Sequence, residues 1–385
     1  MLGMISTSGR DVNSSNNVSP ESLGEDDRAY FRRALLRWYG LNARDLPWRK
    51  TQNSYAILIS EMMLQQTQVA TALDYYERFL KTFPTITDLA EADESAVLAA
   101  WAGLGYYRRA RLLHAAAKTV SDHYGGEMPA SPELLRALPG VGEYTAGAIA
   151  SFAFDLPAPL VDANVSRLFA RLFALRAPTN MSHSKKLMWK WAGELLCRRQ
   201  PRRYNNALME LGARVCTPTS PKCAQCPVKK VCRAYALNLV ELLPNLPPAK
   251  DTVPLFFTGV VLFCGAKIFL KQIPTGEWHE KMWEFPKMSC ATLPDQPTQE
   301  LRQLVRSIAS KAGFEPKYHD FRYAVTHHRI TLRMWIALIP ATALLHQSDC
   351  GKWFTIENLN DLPLPSPQKR IVKWVGQRVV MEALP

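Results

Sequence analysis

The chain has 385 residues, of which 47% are hydrophobic and 21% charged, and its formal net charge is +13. This length allows two domains with their own cores, and the composition is that of a soluble globular protein. No apolar run is long enough to span a membrane, and the N-terminus lacks a basic region followed by an apolar core, so we expect a protein that is not secreted. The basic excess favours a polyanionic partner such as nucleic acid.

Helical periodicity dominates the first 240 residues. Residues 1–27 are rich in Ser, Asn, Gly and Asp, and we expect them to form a disordered tail. The helices predicted after this tail cover approximately residues 29–40, 54–81, 88–99, 108–124, 132–138, 143–154, 163–175 and 184–211. Strand-like alternation is absent here, which predicts an all-α domain over residues 28–238.

The pattern changes beyond residue 239. Prolines cluster over residues 239–254, including Pro254, which predicts a linker that is neither helix interior nor central strand. Strands are then predicted over residues 255–264, 267–272, 323–328 and 330–338, with one helix over about 299–312. Residues 255–385 are therefore predicted to form a separate α+β domain.

The segment Leu138-Pro-Gly-Val-Gly142 lies between two predicted helices. Gly140 and Gly142 lack a Cβ, so this turn is expected to adopt positive φ and to press its backbone against a partner. The helix that starts at Glu143 begins with unpaired N–H groups, which favour a phosphate. A simple connection between two helices would have the same pattern.

Cys216, Cys223, Cys226 and Cys232 lie within 17 positions. Four thiols at this spacing suit a single tetrathiolate site, which holds either zinc or a 4Fe–4S cluster, while chance clustering is the third alternative. In a chain that is not secreted, cysteines are expected to be reduced thiols or metal ligands. The other cysteines are predicted to be buried thiols: Cys197, Cys264, Cys290 and Cys350.

Two carboxylates are candidates for acid–base chemistry. Glu61 lies within an apolar helical run, where burial would raise its pKa and keep a proton available. Asp162 precedes a predicted helix, whose N–H groups and dipole would hold the carboxylate ionised. A surface glutamate and an ordinary helix N-cap are the alternative interpretations. One protonated and one charged carboxyl group is the combination that glycosidic cleavage requires.

Several segments together resemble one known family. Residues 46–49, 60–69, 103–107 and 161–167 are similar to MutY-type adenine DNA glycosylases, within the endonuclease III superfamily of helix-hairpin-helix glycosylases, and the resemblance spans about residues 28–240. It implies that Glu61 protonates the adenine and that Asp162 stabilises the sugar cation, with support from Tyr144 and Asn164. Tyr144 occupies the position of the lyase lysine in endonuclease III, so base removal without efficient strand cleavage is expected.

The same resemblance implies a cofactor and a set of DNA contacts. The cysteine spacing is similar to the 4Fe–4S loop of these glycosylases, so the four cysteines are expected to hold a structural cluster. Gln66 and Tyr106 are expected to act as wedges that enter the base stack when adenine rotates out. The residues predicted to bind DNA are Arg49, Gln65, Gln66, Tyr106, Leu138, Gly140, Val141, Gly142, Thr326 and His327.

The C-terminal domain resembles the Nudix-like domain that MutY proteins use to recognise 8-oxoguanine. Residues 283–286 and 362–365 fit that domain, but residues 301–310 contain no glutamates to hold magnesium, so binding without hydrolysis is expected. The family's Phe-Ser-His loop is replaced by Val325-Thr326-His327, which keeps a hydroxyl and loses a phenyl ring. Residues 276–282 also depart from the family's usual Gly-Leu-Trp-Gly-Gly-Leu.

The resemblance therefore predicts an enzyme of DNA base-excision repair that removes adenine paired with 8-oxoguanine or guanine. We expect a monomer in the bacterial cytoplasm, associated with the nucleoid, with duplex DNA as its partner and no membrane partner. One alternative is a thymine or oxidised-pyrimidine glycosylase of the same fold. Another is a non-catalytic iron–sulfur protein that binds DNA as a redox sensor.

Overall fold

The computed structural model describes residues 21–247, 251–340, 342–346 and 351–382, without the side chains of Asn360 and of residues 378–382. The chain divides into two compact units, each made from two separate segments. Unit 1 contains residues 1–44 and 156–247, and unit 2 contains residues 45–155 and 248–385. Among the described residues, no helix is both long enough and apolar enough to cross a membrane.

Helices make up the regular structure of residues 21–247. In chain order they are α1 Glu25–Asn42, α2 Pro47–Lys50, α3 Ser54–Leu64, α4 Val69–Thr82, α5 Ile86–Glu91, α6 Glu94–Trp101, α7 Arg108–Tyr124, α8 Pro132–Arg136, α9 Glu143–Phe154, α10 Ala163–Leu172, α11 Ser182–Leu195, α12 Pro201–Arg214 and α13 Arg233–Ala236. Short 3₁₀ turns follow α12 and α13. The all-α prediction for this region is confirmed.

Unit 1 packs α1 against α11 and α12, and α10 against α11, α12 and α13. Its core contains a stacked aromatic pair, with the rings of Phe173 and Trp191 4.0 Å apart. The Glu210 side chain is fully buried and forms an ion pair of 2.7 Å with Arg44. Because a buried carboxylate is costly when it is unpaired, this pair fixes the C-terminal end of the first segment against α12.

In unit 2, helices α3 and α9 pack against each other at the centre of residues 45–155. Residues 55–63 of α3 and 145–153 of α9 are all buried. Both helices are mostly apolar and are buried around their whole circumference, which is the pattern of a helix covered on every side. The buried residues of α9 include small ones, such as Gly147 and Ala148. Glu61 therefore lies on a central helix of this module.

The predicted helices 54–81, 88–99 and 184–211 are each interrupted. The first divides into α3 and α4 at residues 65–68, where Gln66 has φ +59°. The second divides into α5 and α6 at Ala92 and Asp93. The third divides at residues 196–200, and Pro201 begins α12, where its fixed φ suits the first helical position. Periodicity alone did not reveal these breaks because the apolar spacing continues across them.

The C-terminal segment of unit 2 contains one mixed sheet. Its elements are β1 Val253–Cys264, β2 Lys267–Gln272, β3 Trp283–Glu284, β4 Lys287–Cys290, α14 Gln299–Arg306, β5 Gly313–Val325, β6 His328–Leu338, β7 Gly351–Thr355 and α15 Ser366–Glu382. The strand order is β3-β2-β1-β6-β5, with β4 paired to β1 and β7 paired to β2. Strands β1 and β6 are parallel, and the other pairs are antiparallel.

Each face of the sheet is covered by a helix. On one face Ile371 and Val375 of α15 join a core with Leu332 and Met334 of β6. On the other face α14 contributes Leu301 and Val305 to a second core. This arrangement confirms the predicted α+β fold of the C-terminal segment, which forms one compact unit together with residues 45–155.

Some predicted boundaries in the chain are wrong. Helix α1 begins at Glu25, inside the predicted tail, and residues 1–20 lie outside the described residues. Strand β1 begins at Val253, inside the predicted linker, and Pro254 is opposite Arg329 in the parallel ladder with β6. Pro254 is tolerated because it is the second residue of β1, and the pairing of β1 with β4 starts only at Phe256.

Other differences concern the strands and the isolated cysteines. Strand β5 begins ten residues before the predicted start, and β3, β4, β7 and α15 were missed. The predicted helix over 299–312 ends at Arg306. Cys197, Cys264 and Cys290 are only partly buried, so the prediction of buried thiols is wrong for them, and Cys350 lies outside the described residues.

Candidate active site

Glu61 is a carboxylate inside the apolar helix α3, and it is only 4% exposed. The hydroxyl of Tyr144, in the first turn of α9, donates a hydrogen bond of 2.7 Å to Glu61 Oε2. The packing of α3 against α9 brings these residues together, although 83 positions separate them in the chain. The pair gives this module a buried acidic group whose position is set by a phenol.

The glycine turn before α9 packs directly against the Glu61 helix. Gly140 has φ +75°, and a Cβ at this position would lie 2.7 Å from Leu112 Cβ and 3.3 Å from Met62 Cε. Gly142, by contrast, is extended, with φ −84° and ψ 179°, so the positive φ expected of this turn is at Gly140. The side chains of Leu138 and Val141 are buried, so among the residues of this turn that are predicted to bind DNA only Gly140 and Gly142 are exposed.

In unit 1, Asp162 is the N-cap of α10. Its Oδ1 accepts a hydrogen bond of 2.7 Å from the Val165 amide, and its Oδ2 accepts one of 2.8 Å from Asn164 Nδ2. Asn164 Oδ1 accepts in turn from Arg167 Nη2 at 2.9 Å. This network surrounds the carboxylate with donors, which is the arrangement that stabilises a negative charge.

Burial opposes that stabilisation at Asp162. It raises the pKa of the Asp162 carboxyl above its ordinary value of 3.8, while hydrogen bonds from Val165 and Asn164 and the charge of Arg167 lower it. The expectation that the N-cap position alone would keep the group ionised did not include this desolvation. The donors of α10 are therefore needed to offset the cost of burying the charge.

Two adjacent loops in unit 2 present the predicted wedge residues. Gln66 has φ +59° and Tyr106 has φ +49°, and the Tyr106 side chain is 52% exposed. Both residues, with Gln65, line a cleft of about 940 Å³. Thr326 also belongs to its lining. The helical segment and the sheet segment of unit 2 thus share one cleft, which places four of the predicted DNA-binding residues on one surface.

Comparison with known proteins identifies the family. Residues 59–193 match the profile of the HhH-GPD superfamily base excision DNA repair protein, and residues 258–374 match that of the NUDIX domain. The adenine DNA glycosylase of Rattus norvegicus is 34% identical over 415 residues, which cover 92% of this chain and 80% of the rat protein. The chain belongs to the adenine DNA glycosylase family. It is accordingly a protein of DNA base-excision repair, in a family of hydrolases that act on N-glycosyl bonds.

A bacterial member and a solved structure agree with this assignment. The adenine DNA glycosylase of Buchnera aphidicola subsp. Baizongia pistaciae is 30% identical, over 89% of this chain and 95% of its own length. A thermostable thymine-DNA glycosylase has a similar structure, with a TM-score of 0.51 and 31% identity, covering 55% of this chain and 98% of its own. The family resemblance seen in the sequence motifs is thereby confirmed, as is the helical glycosylase fold.

The cysteine loop of this glycosylase follows α12. Cys216, Cys223, Cys226 and Cys232 line a common cavity together with Arg171 of α10. Within the part of the chain that the structure describes, no three His, Cys, Asp or Glu side chains converge closely enough to hold a single metal ion. Burial raises the pKa of the Cys226 thiol to about 12.

Two buried arginines connect this loop to α10. Arg171 Nη1 lies 3.4 Å from Cys216 Sγ and donates to the carbonyl of Thr217 at 2.7 Å. Arg167, which bonds Asn164, also donates to the carbonyl of Cys216 at 2.7 Å. The short helix that carries Asp162 is thus fixed to the cysteine loop through its own arginines.

The tip of the β5–β6 hairpin contains the predicted lesion-binding residues. Thr326 has φ +53°, and its hydroxyl donates to the carbonyl of Val325 at 2.7 Å. His327 lies beside it but is not among the lining residues of the cleft, and Arg49 is half-buried in α2. Trp278 does line the cleft, is 45% exposed, and packs on the ring of His328 at 5.0 Å.

Sequence reasoning missed the cleft-lining role of Trp278. The only signal was an aromatic residue in a polar loop whose neighbours depart from the family pattern. Arg167 was also missed, although it lies three residues after Asn164, the spacing at which helical side chains meet. The contacts of both residues depend on partners that are distant in the chain.

Proposed function

We propose that this chain removes adenine that is paired with 8-oxoguanine or guanine in duplex DNA. The main observation that supports this proposal is the buried carboxyl group of Glu61 on helix α3. This group accepts a hydrogen bond from the hydroxyl of Tyr144. The names of its relatives in rat and Buchnera support adenine as the base. The excess of positive charge supports a polyanionic partner.

Glu61 is the proposed general acid. An apolar environment favours the neutral form of a carboxyl group, so a proton is available for transfer. Its transfer to N7 of an adenine that has left the base stack turns the base into a neutral leaving group. Glu61 then acts as the base that activates the water which completes hydrolysis.

Asp162 is the proposed stabiliser of the sugar. Cleavage of the glycosidic bond leaves positive charge on the deoxyribose, and a carboxylate supported by Asn164 and by the Val165 amide opposes this charge. Asp162 acts either electrostatically or through a transient covalent bond. In both cases it must be ionised, and the donors of α10 favour that state.

We further propose that the enzyme leaves the DNA strand intact. A β-elimination lyase of this fold requires an amine that forms a Schiff base with the sugar, and Tyr144 offers a phenol at the corresponding position. A phenol cannot form an imine. The expected product is therefore an abasic site.

The four cysteines of the loop are proposed to hold a 4Fe–4S cluster. Each thiolate of such a cluster binds a different iron, so the sulfurs surround a cavity, whereas the four ligands of a zinc ion meet at one atom. The shared cavity of the four thiols favours the cluster. Arg171 supplies a buried positive charge beside Cys216, which would offset the negative charge of a thiolate-bound cluster.

This cofactor is tested by iron and sulfide analysis of anaerobically purified protein. Four irons and four sulfides per chain are expected, and Cys226→Ser should lower both, with Cys290→Ser as the matched control. The presence of one zinc and no sulfide would contradict the cluster.

The C-terminal domain is proposed to recognise the lesion without hydrolysing nucleotides. The helix α14 includes a single glutamate, Glu300, in its first turn, which is too little carboxylate for magnesium. The Thr326 hydroxyl, at the rim of the cleft, supports hydrogen bonding to 8-oxoguanine. We propose that the protein acts as a monomer on the DNA of the bacterial cytoplasm.

Because the chain is structurally similar to a thymine-DNA glycosylase, thymine is the alternative substrate to be tested. A duplex panel with adenine, thymine or thymine glycol opposite 8-oxoguanine or guanine separates the alternatives, when each reaction is analysed with and without alkali. Release of adenine, with strand breaks only after alkali, is the expected result. Release of thymine alone, or strand breaks without alkali, would contradict the proposal.

A further inference from the structure

Arg109 lies in the first turn of α7 and is only 7% exposed. Among the described residues it forms no ion pair with a carboxylate. Its terminal nitrogens bond instead to two separate chain segments. The acceptors are the carbonyls of Met62 (2.8 Å), Met63 (2.9 Å), Gln65, Leu104 (3.4 Å) and Gly105 (3.3 Å) and the hydroxyl of Thr67 (3.1 Å).

Two of these acceptors directly precede the proposed wedge residues. The carbonyl of Gln65 precedes Gln66, and the carbonyl of Gly105 precedes Tyr106. Gln66 and Tyr106 both have left-handed backbones, which are strained for residues with a side chain. Such a backbone persists only where its surroundings fix it. Here one guanidinium bonds to the peptide group before each of the two strained residues.

The same guanidinium also bonds to the end of the helix that carries Glu61. Met62 and Met63 lie in the last turn of α3, where carbonyls lack partners within the helix. A positive charge at this end is favourable because of the helix dipole. Arg109 therefore contacts the loop that contains Gln66 and the loop that contains Tyr106, which we call the two wedge loops. It also contacts the two residues that follow the proposed general acid.

We propose that Arg109 is a positioning residue that holds the two wedge loops in their observed backbone conformation. Adenine leaves the base stack efficiently only when the loops have this conformation. This inference rests on the proposed function. An arginine suits the role because its planar fork reaches several acceptors at fixed angles, whereas the ammonium of lysine has three donors on one atom. Burial lowers the pKa of Arg109 to about 10, so the group remains charged at neutral pH.

The proposal is tested by a double-mutant cycle between Arg109→Lys and the combined wedge variant Gln66→Ala/Tyr106→Ala. Single-turnover release of adenine is measured on an 8-oxoguanine:adenine duplex, and departure of the base is followed with 2-aminopurine in place of the adenine. Arg109→Lys should lower both rates about 10- to 100-fold, because a small misplacement of a positioned group has an effect of this size. In the wedge-deleted background the same change should have less than about a threefold effect, since residues that act as a unit are not additive.

Two further variants complete the design. Lys118→Gln removes an exposed positive charge from the same helix and should leave both rates unchanged. If Arg109→Lys does not fold, Thr67→Val is used instead, because it removes one hydrogen bond and keeps the arginine. Its effect on both rates should be smaller than that of Arg109→Lys and should also vanish in the wedge-deleted background.

Additive effects in either cycle would overturn the inference, because a residue that only stabilises the fold lowers the rate with or without the wedges. Adenine release by the wild-type enzyme is measured in the same series. If the wild type releases no adenine, the proposed function fails, whereas release by the wild type with additive variants refutes only the role of Arg109.

Discussion

The two candidate carboxyl groups of this glycosylase, Glu61 and Asp162, lie in different environments. Glu61 lies in the last turn of the mostly apolar helix α3 and accepts a hydrogen bond from the hydroxyl of Tyr144. Asp162 is at a helix N-terminus, where it accepts from a backbone amide and from Asn164, which Arg167 bonds in turn. Glu61 is only 4% exposed, whereas Asp162 is partly exposed and accepts from the donors of α10, and we propose that this difference sets the protonation of the two groups.

This difference is the basis for the separate roles that we propose for the two carboxyl groups. An apolar surrounding favours the neutral acid, which can supply a proton, and donors at a helix N-terminus favour the anion, which can oppose a cation. At Asp162, burial raises the pKa of the carboxyl group and the donors of α10 oppose that rise. The network of α10 is therefore part of the chemistry, and variants of each environment should separate the two roles.

The largest effect is expected from Glu61→Gln, which keeps the shape and removes the proton donor. We expect single-turnover adenine release to fall by about 10³-fold or more, within the range of general acid–base catalysis. Affinity for a duplex with 8-oxoguanine should remain, because the lesion is proposed to bind the C-terminal domain. Glu77→Gln, an exposed change on α4, is the matched control. Near-normal release by Glu61→Gln would remove this residue from the mechanism.

Asp162→Asn should lower the rate by about 10²- to 10³-fold, the range seen when one electrostatic stabiliser is removed. Asparagine caps helices as well as aspartate does, so the helix should persist. Since the pKa of Asp162 is raised in the folded state, the wild type loses stability as the pH rises from 3.8 through the folded pKa.

Asp162→Asn should lack that loss and should be at least as stable at neutral pH. Thermal unfolding across this pH range checks the expectation, with Asp74→Asn on α4 as control. A variant that is strongly destabilised at neutral pH, or that retains full activity, would show that Asp162 is only a helix cap.

Asn164→Ala tests the donors around Asp162. Loss of the hydrogen bond to Oδ2 should raise the pKa of Asp162 further, because that bond favours the anion. The acid limb of the pH–rate profile should move to higher pH by about one unit, the equivalent of one hydrogen bond to a charged group. Asn206→Ala on α12 is the control, and an unchanged acid limb would argue against this support.

The smallest effect is expected from Tyr144→Phe, which removes the hydroxyl bonded to Glu61 and keeps the ring. A neutral hydrogen bond contributes about 1 kcal/mol, so the rate should fall about fivefold. Single-turnover release by Tyr144→Phe and by the control Tyr124→Phe measures this effect. A loss as large as that of Glu61→Gln would mean that Tyr144 itself takes part in proton transfer.

Local patterns predicted much of the fold. The bounds of α7, α9 and β2 agree with the sequence prediction, because each has clear periodicity and distinct end signals. The break between α3 and α4 was not predicted, since it depends on the left-handed Gln66, and the bonds to Arg109 that hold this loop come from another part of the chain. The predicted start of α1 is later than the observed start at Glu25, because composition assigned Glu25 and its acidic neighbours to the tail.

The candidate site was predictable as residues but not as contacts. Motifs that resemble the family selected Glu61, Asp162 and the four cysteines. The bond between Tyr144 and Glu61 spans 83 residues, and spacing alone cannot predict it. The desolvation of Asp162 also depends on tertiary packing, so its raised pKa did not follow from the N-cap position.

The different protonation of the two carboxyl groups can be measured directly by infrared difference spectroscopy at neutral pH. A protonated carboxyl group has a carbonyl stretch that an ionised group lacks. We expect this band in the wild type, its loss in Glu61→Gln and its retention in Asp162→Asn. A band that disappears with Asp162→Asn and persists in Glu61→Gln would reverse the two roles and contradict the proposed mechanism.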